Sequence, residues 1–111
     1  DIVLLTNVKA VVLIKNSEPI LIYSKKSLYN NLNYNTNFYG DVQVVYENHK
    51  IFSDNFDLIF NEKTGTIYNN VVYKNLNTSL YAKKIDIDLV TKKSKIYMYD
   101  KSKKVKIKSL N

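Results

Sequence analysis

The stretch FYGDVQVVYENHKIFSDNFDLIF at 38–60 nearly returns as IYNNVVYKNLNTSLYAKKIDIDL at 67–89. At this offset of 29 positions, Val42 meets Val71, Ile51 meets Leu80, Phe52 meets Tyr81, Phe56 meets Ile85, Asp57 meets Asp86, Leu58 meets Ile87 and Phe60 meets Leu89. The period extends both ways. Tyr39 maps onto Tyr68 and then Tyr97, and IYSKKSLY at 22–29 lies in register with IFSDNFDL at 51–58 and LYAKKIDI at 80–87. A fixed period means one structural unit used repeatedly, with an atypical copy at the end of the array. Here the upstream copy is the degenerate one, with Ser27 and Asn31 where the others carry large apolar residues.

Each unit has the period of a strand. IDIDL at 85–89 alternates strictly, FDLIF at 56–60 nearly so, and VQVVY at 42–46 and VKIK at 105–108 keep apolar residues at every second position, a spacing that scatters around a helix but lines one face of a strand. Turn-forming stretches separate them: KNSEP at 15–19, NNLNYN at 30–35, ENHK at 47–50, NEKTGT at 61–66, NLNT at 75–78 and TKKSK at 91–95. The expectation is an all-β, antiparallel roll of about three strand–turn–strand repeats of about 29 residues. The inward period breaks between Ser53 and Phe56, so a corner is expected near Asp54 and Asn55, and likewise at Lys83 and Lys84. Ser24, Ser53 and Ala82 are then the small inward residues just before each corner.

A chain of 111 residues, 45% hydrophobic and 24% charged, supports one domain over 1–111 with a modest core. No cysteine is present, which excludes disulfide scaffolds and thiolate metal sites. The longest apolar stretch, VKAVVLIK, falls far short of the roughly 20 residues of a spanning helix, and the start at Asp1 rather than Met suggests a trimmed chain. All 17 basic residues are lysine, giving a net charge of +7 without the planar fork of arginine; a solubilising coat is the plainer reading of that charge. The inward positions are Val42, Val44, Ile51, Phe56, Leu58 and Phe60, followed by Val71, Tyr73, Leu80, Ile85, Ile87 and Leu89. From the residues alone, a closed dry core explains them.

The run of GDV with alternating apolar residues, a short turn, IFSDNFDLIF, a second turn and GTIYNNVVY resembles the OstA-like domain of the lipopolysaccharide-export bridge proteins. The resemblance rests on Gly40, Asp41 and Val42, then Ser53 and Asp54, then Phe56 to Leu58, and covers about residues 4–108, with TNVKAVV at 6–12 as a plainer upstream copy. Asn69 and Asn70 before Val71, and Lys83 at the last corner, depart from the pattern. Among its members, the inner-membrane-anchored LptC-like periplasmic domain is the nearer and the soluble LptA-like bridge the second.

The resemblance implies a curved β-jellyroll with the inward residues above lining a lipid groove, and a periplasmic domain tethered by an N-terminal helix absent from this chain. It implies lipopolysaccharide as ligand and, as partners, other jellyroll bridges and the inner-membrane ABC transporter complex, docked through sheet edges such as Val105, Lys106, Ile107 and Lys108. Open edges can continue a sheet into a second chain.

Two other classes compete. For an enzyme, His49 falls in the ENHK turn as an ordinary solvated residue, and Asp86 with Asp88 share one outward strand face without a partner base or third ligand. No Gly-rich phosphate loop or cysteine nucleophile occurs, so catalysis, cofactors and metals are not expected. For a basic nucleic-acid-binding barrel, ten tyrosines and KSKKVKIK are the support, but Tyr39, Tyr68, Tyr97, Tyr23 and Tyr81 recur at repeat positions, as strand packing requires.

Overall fold

The structure is a computed structural model and describes residues 1–99, together with the backbone of a final strand at 105–109. It is all-β and antiparallel. The strands are β1 (Ile2–Val12), β2 (Ile20–Asn30), β3 (Thr36–Tyr46), β4 (His49–Ile59), β5 (Thr64–Lys74), β6 (Ser79–Asp88), β7 (Lys93–Tyr97) and β8 (Val105–Ser109). Their order in the sheet follows the chain, β1 to β8, so the roll is one meander of hairpins without Greek-key crossovers. The repeat of the sequence is a strand pair: β3 with β4, then β5 with β6.

What makes a roll of this meander is a line of corners through the middle of its long strands. Register slips occur between Tyr39 and Val42 against β4, and between Tyr68 and Val71 against β6. Between Tyr39↔Asn55 and Val42↔Ser53, β3 spends Gly40 and Asp41 while β4 spends only Asp54, so the extra residue belongs to β3. Asn69 and Asn70 do the same in β5 against Lys83. All four have positive φ, between 48° and 81°, and Gly, Asp and Asn are the residues that tolerate it best. The corners expected at Asp54–Asn55 and Lys83–Lys84 are therefore the inner partners of bulges built by the neighbouring strands. On the inside, Ser24 Oγ donates to the Lys26 carbonyl (2.9 Å) and Ser53 Oγ to that of Asn55 (3.0 Å), so that each hydroxyl spans its own bend.

Bending brings the two halves of the sheet face to face. Inward side chains then form rows across the strands: Ile22, Val44, Ile51, Tyr73 and Leu80 in one layer, and Ser27, Phe38, Phe56, Ile67, Ile85 and Ile96 in the other. Phe56, Ile22 and Ile67 are completely buried although no helix among the described residues covers them, so each layer covers the other. Gly65 fits this packing for a steric reason: a Cβ there would lie 2.3 Å from Cε1 of Phe56, whose ring occupies the space. The open ends of the layers are tied by Lys92, whose Nζ donates to Ser17 Oγ (2.7 Å) and lies 5.7 Å over the Tyr46 ring.

Candidate functional site: an apolar groove along β1

Along β3 to β6 the interior is closed. Of the residues expected inside, Val42, Val44, Ile51, Phe56, Val71, Tyr73, Ile85, Ile87 and Leu89 are buried, while Leu58 and Leu80 are partly buried against them. Phe60 differs from the expectation. It lies just past the end of β4, where alternation gives way to the turn, and is 48% exposed.

The β1 end is different. The row filled by Phe56 and Ile85 in the later repeats continues through Ser27 to Leu5, and a small, buried serine stands there in place of the larger side chains. From there a cavity of about 830 Å³ runs between the layers. Val8, Ala10, Val12 and Ile14 form one wall, Phe38 and Leu58 the other, and Tyr34, Phe60, Leu89 and Val90 surround its outer end. The volume lies in the range of small-molecule and lipid sites. Of the expected groove residues, only Leu58, Phe60 and Leu89 line it; the others belong to the closed core.

The polar groups of this groove are few. Ser27 is fully buried and its Oγ has no hydrogen-bond partner among the described residues, a state that typically costs about 1–3 kcal/mol. Lys9, Lys15 and Lys63 are the charged residues of the lining, and no acidic residue joins them. Lys9 holds its ammonium 5.8 Å over Tyr23, its neighbour on the outer face, which leaves Lys15 and Lys63 at the two turns beside the outer end. Tyr34 packs edge-on against Phe60 (5.3 Å) and next to Tyr29 (6.1 Å). Asn35 fixes this aromatic lip by accepting the Phe60 N–H on its Oδ1 (2.9 Å).

The other candidates of the sequence find structural partners. His49 is no free turn residue: it opens β4, stacks between Tyr46 and Tyr73, and its Nδ1 lies 2.5 Å from the Tyr73 hydroxyl. On the outer face Asp86 accepts from Thr66 Oγ1 (3.0 Å), and Asp57 accepts from Asn37 and from the Tyr68 hydroxyl (3.2 Å). Burial, with the nearby Asp57 charge, pushes the Tyr68 phenol up. Asp88 Oδ1 accepts the backbone N–H groups of Thr91 (3.1 Å) and Val90 (2.9 Å), which hold its carboxyl below the ordinary value. Among the described residues no cluster of three His, Asp or Glu could hold a metal, and no helix is long and apolar enough to cross a membrane. Val105 to Lys108 lie in β8, the last strand of the sheet, and their side chains lie outside the described residues.

Sequence reasoning missed the β1 wall because it began from the GDV strands, although VKAVV alternates as they do. The signal for the cavity was Ser27, small and polar where the repeat demands bulk. Neither protein-family profiles nor curated proteins give a match to this chain.

Proposed function

We propose that the groove along β1 holds acyl chains of an anionic lipid, and that the protein is a non-enzymatic lipid carrier of the OstA-like kind, taking lipopolysaccharide across the periplasm toward the outer membrane. The observation that carries this reading is the pairing of an apolar cavity of about 830 Å³ with lysine as its only charge. Apolar walls favour chains by the area they take from water, and lysines beside the outer end favour phosphate or carboxylate over a cationic headgroup.

The sheet's edges support hand-over to similar domains. β1 is an outermost strand 11 residues long, apolar but for Thr6, Asn7 and Lys9, with Ile2, Leu4 and Val11 exposed. Soluble proteins usually blunt such an edge with charge or proline, whereas an assembly component uses it to extend the sheet. β8 is the strand at the opposite side, so end-to-end docking with another jellyroll or with an inner-membrane ABC transporter complex has an edge at each end. Anchoring by an N-terminal helix outside this chain belongs to the same proposal. A nucleic-acid partner gains less support, because Lys9 over Tyr23, Lys84 over Tyr97 and Lys74 over Phe52 already occupy outer-face rings.

Photocrosslinking in cells tests the reading. An unnatural photoreactive residue at Leu58 or Phe60 should yield adducts with lipopolysaccharide, whereas one at the outward Asp57 should not. Adducts from Asp57 alone, or none from either groove position while a labelled single-stranded nucleic acid binds the purified protein, would overturn it.

A further inference from the structure

We infer that Ser27 sets the length of chain the groove admits. This rests on the groove being a lipid site, and assigns to one residue its depth. Ser27 shares a cross-strand row with Phe38 and Phe56 beside the corner, at the inner end of the cavity. Phe60, at the outer end, is four residues beyond Phe56, on the order of 13 Å along an extended chain. A lipid with its headgroup beside Lys15 and Lys63 thus sends its tail toward Ser27. Equivalent positions in the next two repeats carry Phe56 and Ile85, both buried and space-filling. Either side chain at 27 would close the inner end and leave a shorter groove. The serine hydroxyl takes no part in this. Its size does, which is why an orphaned polar group can stand on an apolar floor.

A graded series of saturated fatty acids, octanoate to stearate, is titrated against the full chain by displacement of an environment-sensitive dye. Affinity should rise with length and level off once the tail reaches the floor. In Ser27→Ile the plateau should come at a shorter chain and the longest acid should bind at least tenfold more weakly. Ser27→Ala should keep the wild-type profile, and Ser27→Val provides a smaller step should the isoleucine variant fail to fold. As an independent measure, a fatty acid with a diazirine at its tail should label Leu5, Val8 or Phe38, and one labelled near its carboxyl should mark Phe60 or Lys63. An unchanged length profile in a folded Ile or Val variant, or tail labelling confined to Phe60, overturns the assignment of depth while leaving lipid binding intact. A wild-type chain that binds neither fatty acid nor lipid A overturns the groove itself, and the assignment with it.

Discussion

Two stretches of the same folded sheet are made from one repeat and finish differently. In β3 to β6 each inward row is filled: Phe56 lies on Gly65 and stacks 5.7 Å from Phe38, and Ile67 and Ile85 complete the layer. Along β1 and β2 the same rows hold Leu5 with Ser27 and Val8 with Ser24, and Leu5 is 43% exposed. A left-handed residue stands at the corner in both, Asn7 in β1 having φ 52°, though β1 stays in register with β2 while β3 and β5 each insert a residue. Side-chain volume differs as well. One unit therefore serves as a stabilising core when its neighbours fill it and as the wall of a cavity when an end copy is underfilled.

Truncating each side in turn gives the sharpest measure of this contrast. Phe56→Ala should lower the free energy of unfolding by about 3–5 kcal/mol, because it removes a fully buried ring from a site that cannot collapse. Leu5→Ala, in an already open row, should cost well under half of that. Urea denaturation followed by far-UV circular dichroism reads both. Equal losses would mean that the β1 end is as closely packed as the centre, and the distinction would be lost.

The next largest effect should come from Gly65→Ala. The added methyl meets the Phe56 ring 2.3 Å away, an overpacking that typically costs about 1–3 kcal/mol. Since the clash is with that one ring, Phe56→Leu should recover part of the loss, and a double-mutant cycle should show coupling. Additive effects would place the cost in the backbone of β5 instead.

Corners offer a comparison within the repeat itself. Ser24 and Ser53 donate to carbonyls across the bend, while Ala82, their equivalent in the next copy, has no side-chain donor. Ser53→Ala should cost about 1 kcal/mol by removing the hydroxyl's bond to the Asn55 carbonyl, and Ala82→Ser should cost less or be neutral. If both substitutions behave alike, the hydroxyl does not serve the bend.

These features were unequally legible in the sequence. Alternation and the period of 29 foretold strands, their strand–turn–strand repeats and most of the inward residues, because both follow from which side chains leave water. The corners were legible only on one side of each bulge. Along β4 the inward residues 53 and 56 are an odd step apart, which breaks the pattern, whereas along β3 the step from 38 to 42 is even and conceals the inserted residue. Gly40–Asp41 and Asn69–Asn70 therefore looked like motif letters, though they carry the bend. The groove was less legible still. It depends on which layer faces which, on β1 being the outermost of the described strands, and on a single serine whose significance comes from the Phe56 and Ile85 of other repeats.

The smallest expected effect concerns the outer end of the groove, where Leu89 and Val90 follow Asp88. Two backbone N–H groups, Thr91 first and Val90 second, hold the Asp88 carboxyl below its ordinary value of 3.8. A carboxyl depressed in the folded state adds stability that is complete above the unfolded value and fades as pH falls through the folded one, so the effect belongs below about pH 4. Because Asp88 is at the surface, protonation should loosen the turn locally rather than unfold the chain. Amide resonances of Val90 and Thr91 should therefore shift on titration from about pH 5 to pH 3, while those of Phe56 stay fixed. Asp88→Asn keeps an accepting oxygen and should remove the titration without removing the turn. Were Phe56 to move in step with Val90, the lip and the core would form one cooperative unit, and the groove's outer end could not yield independently of the packed centre.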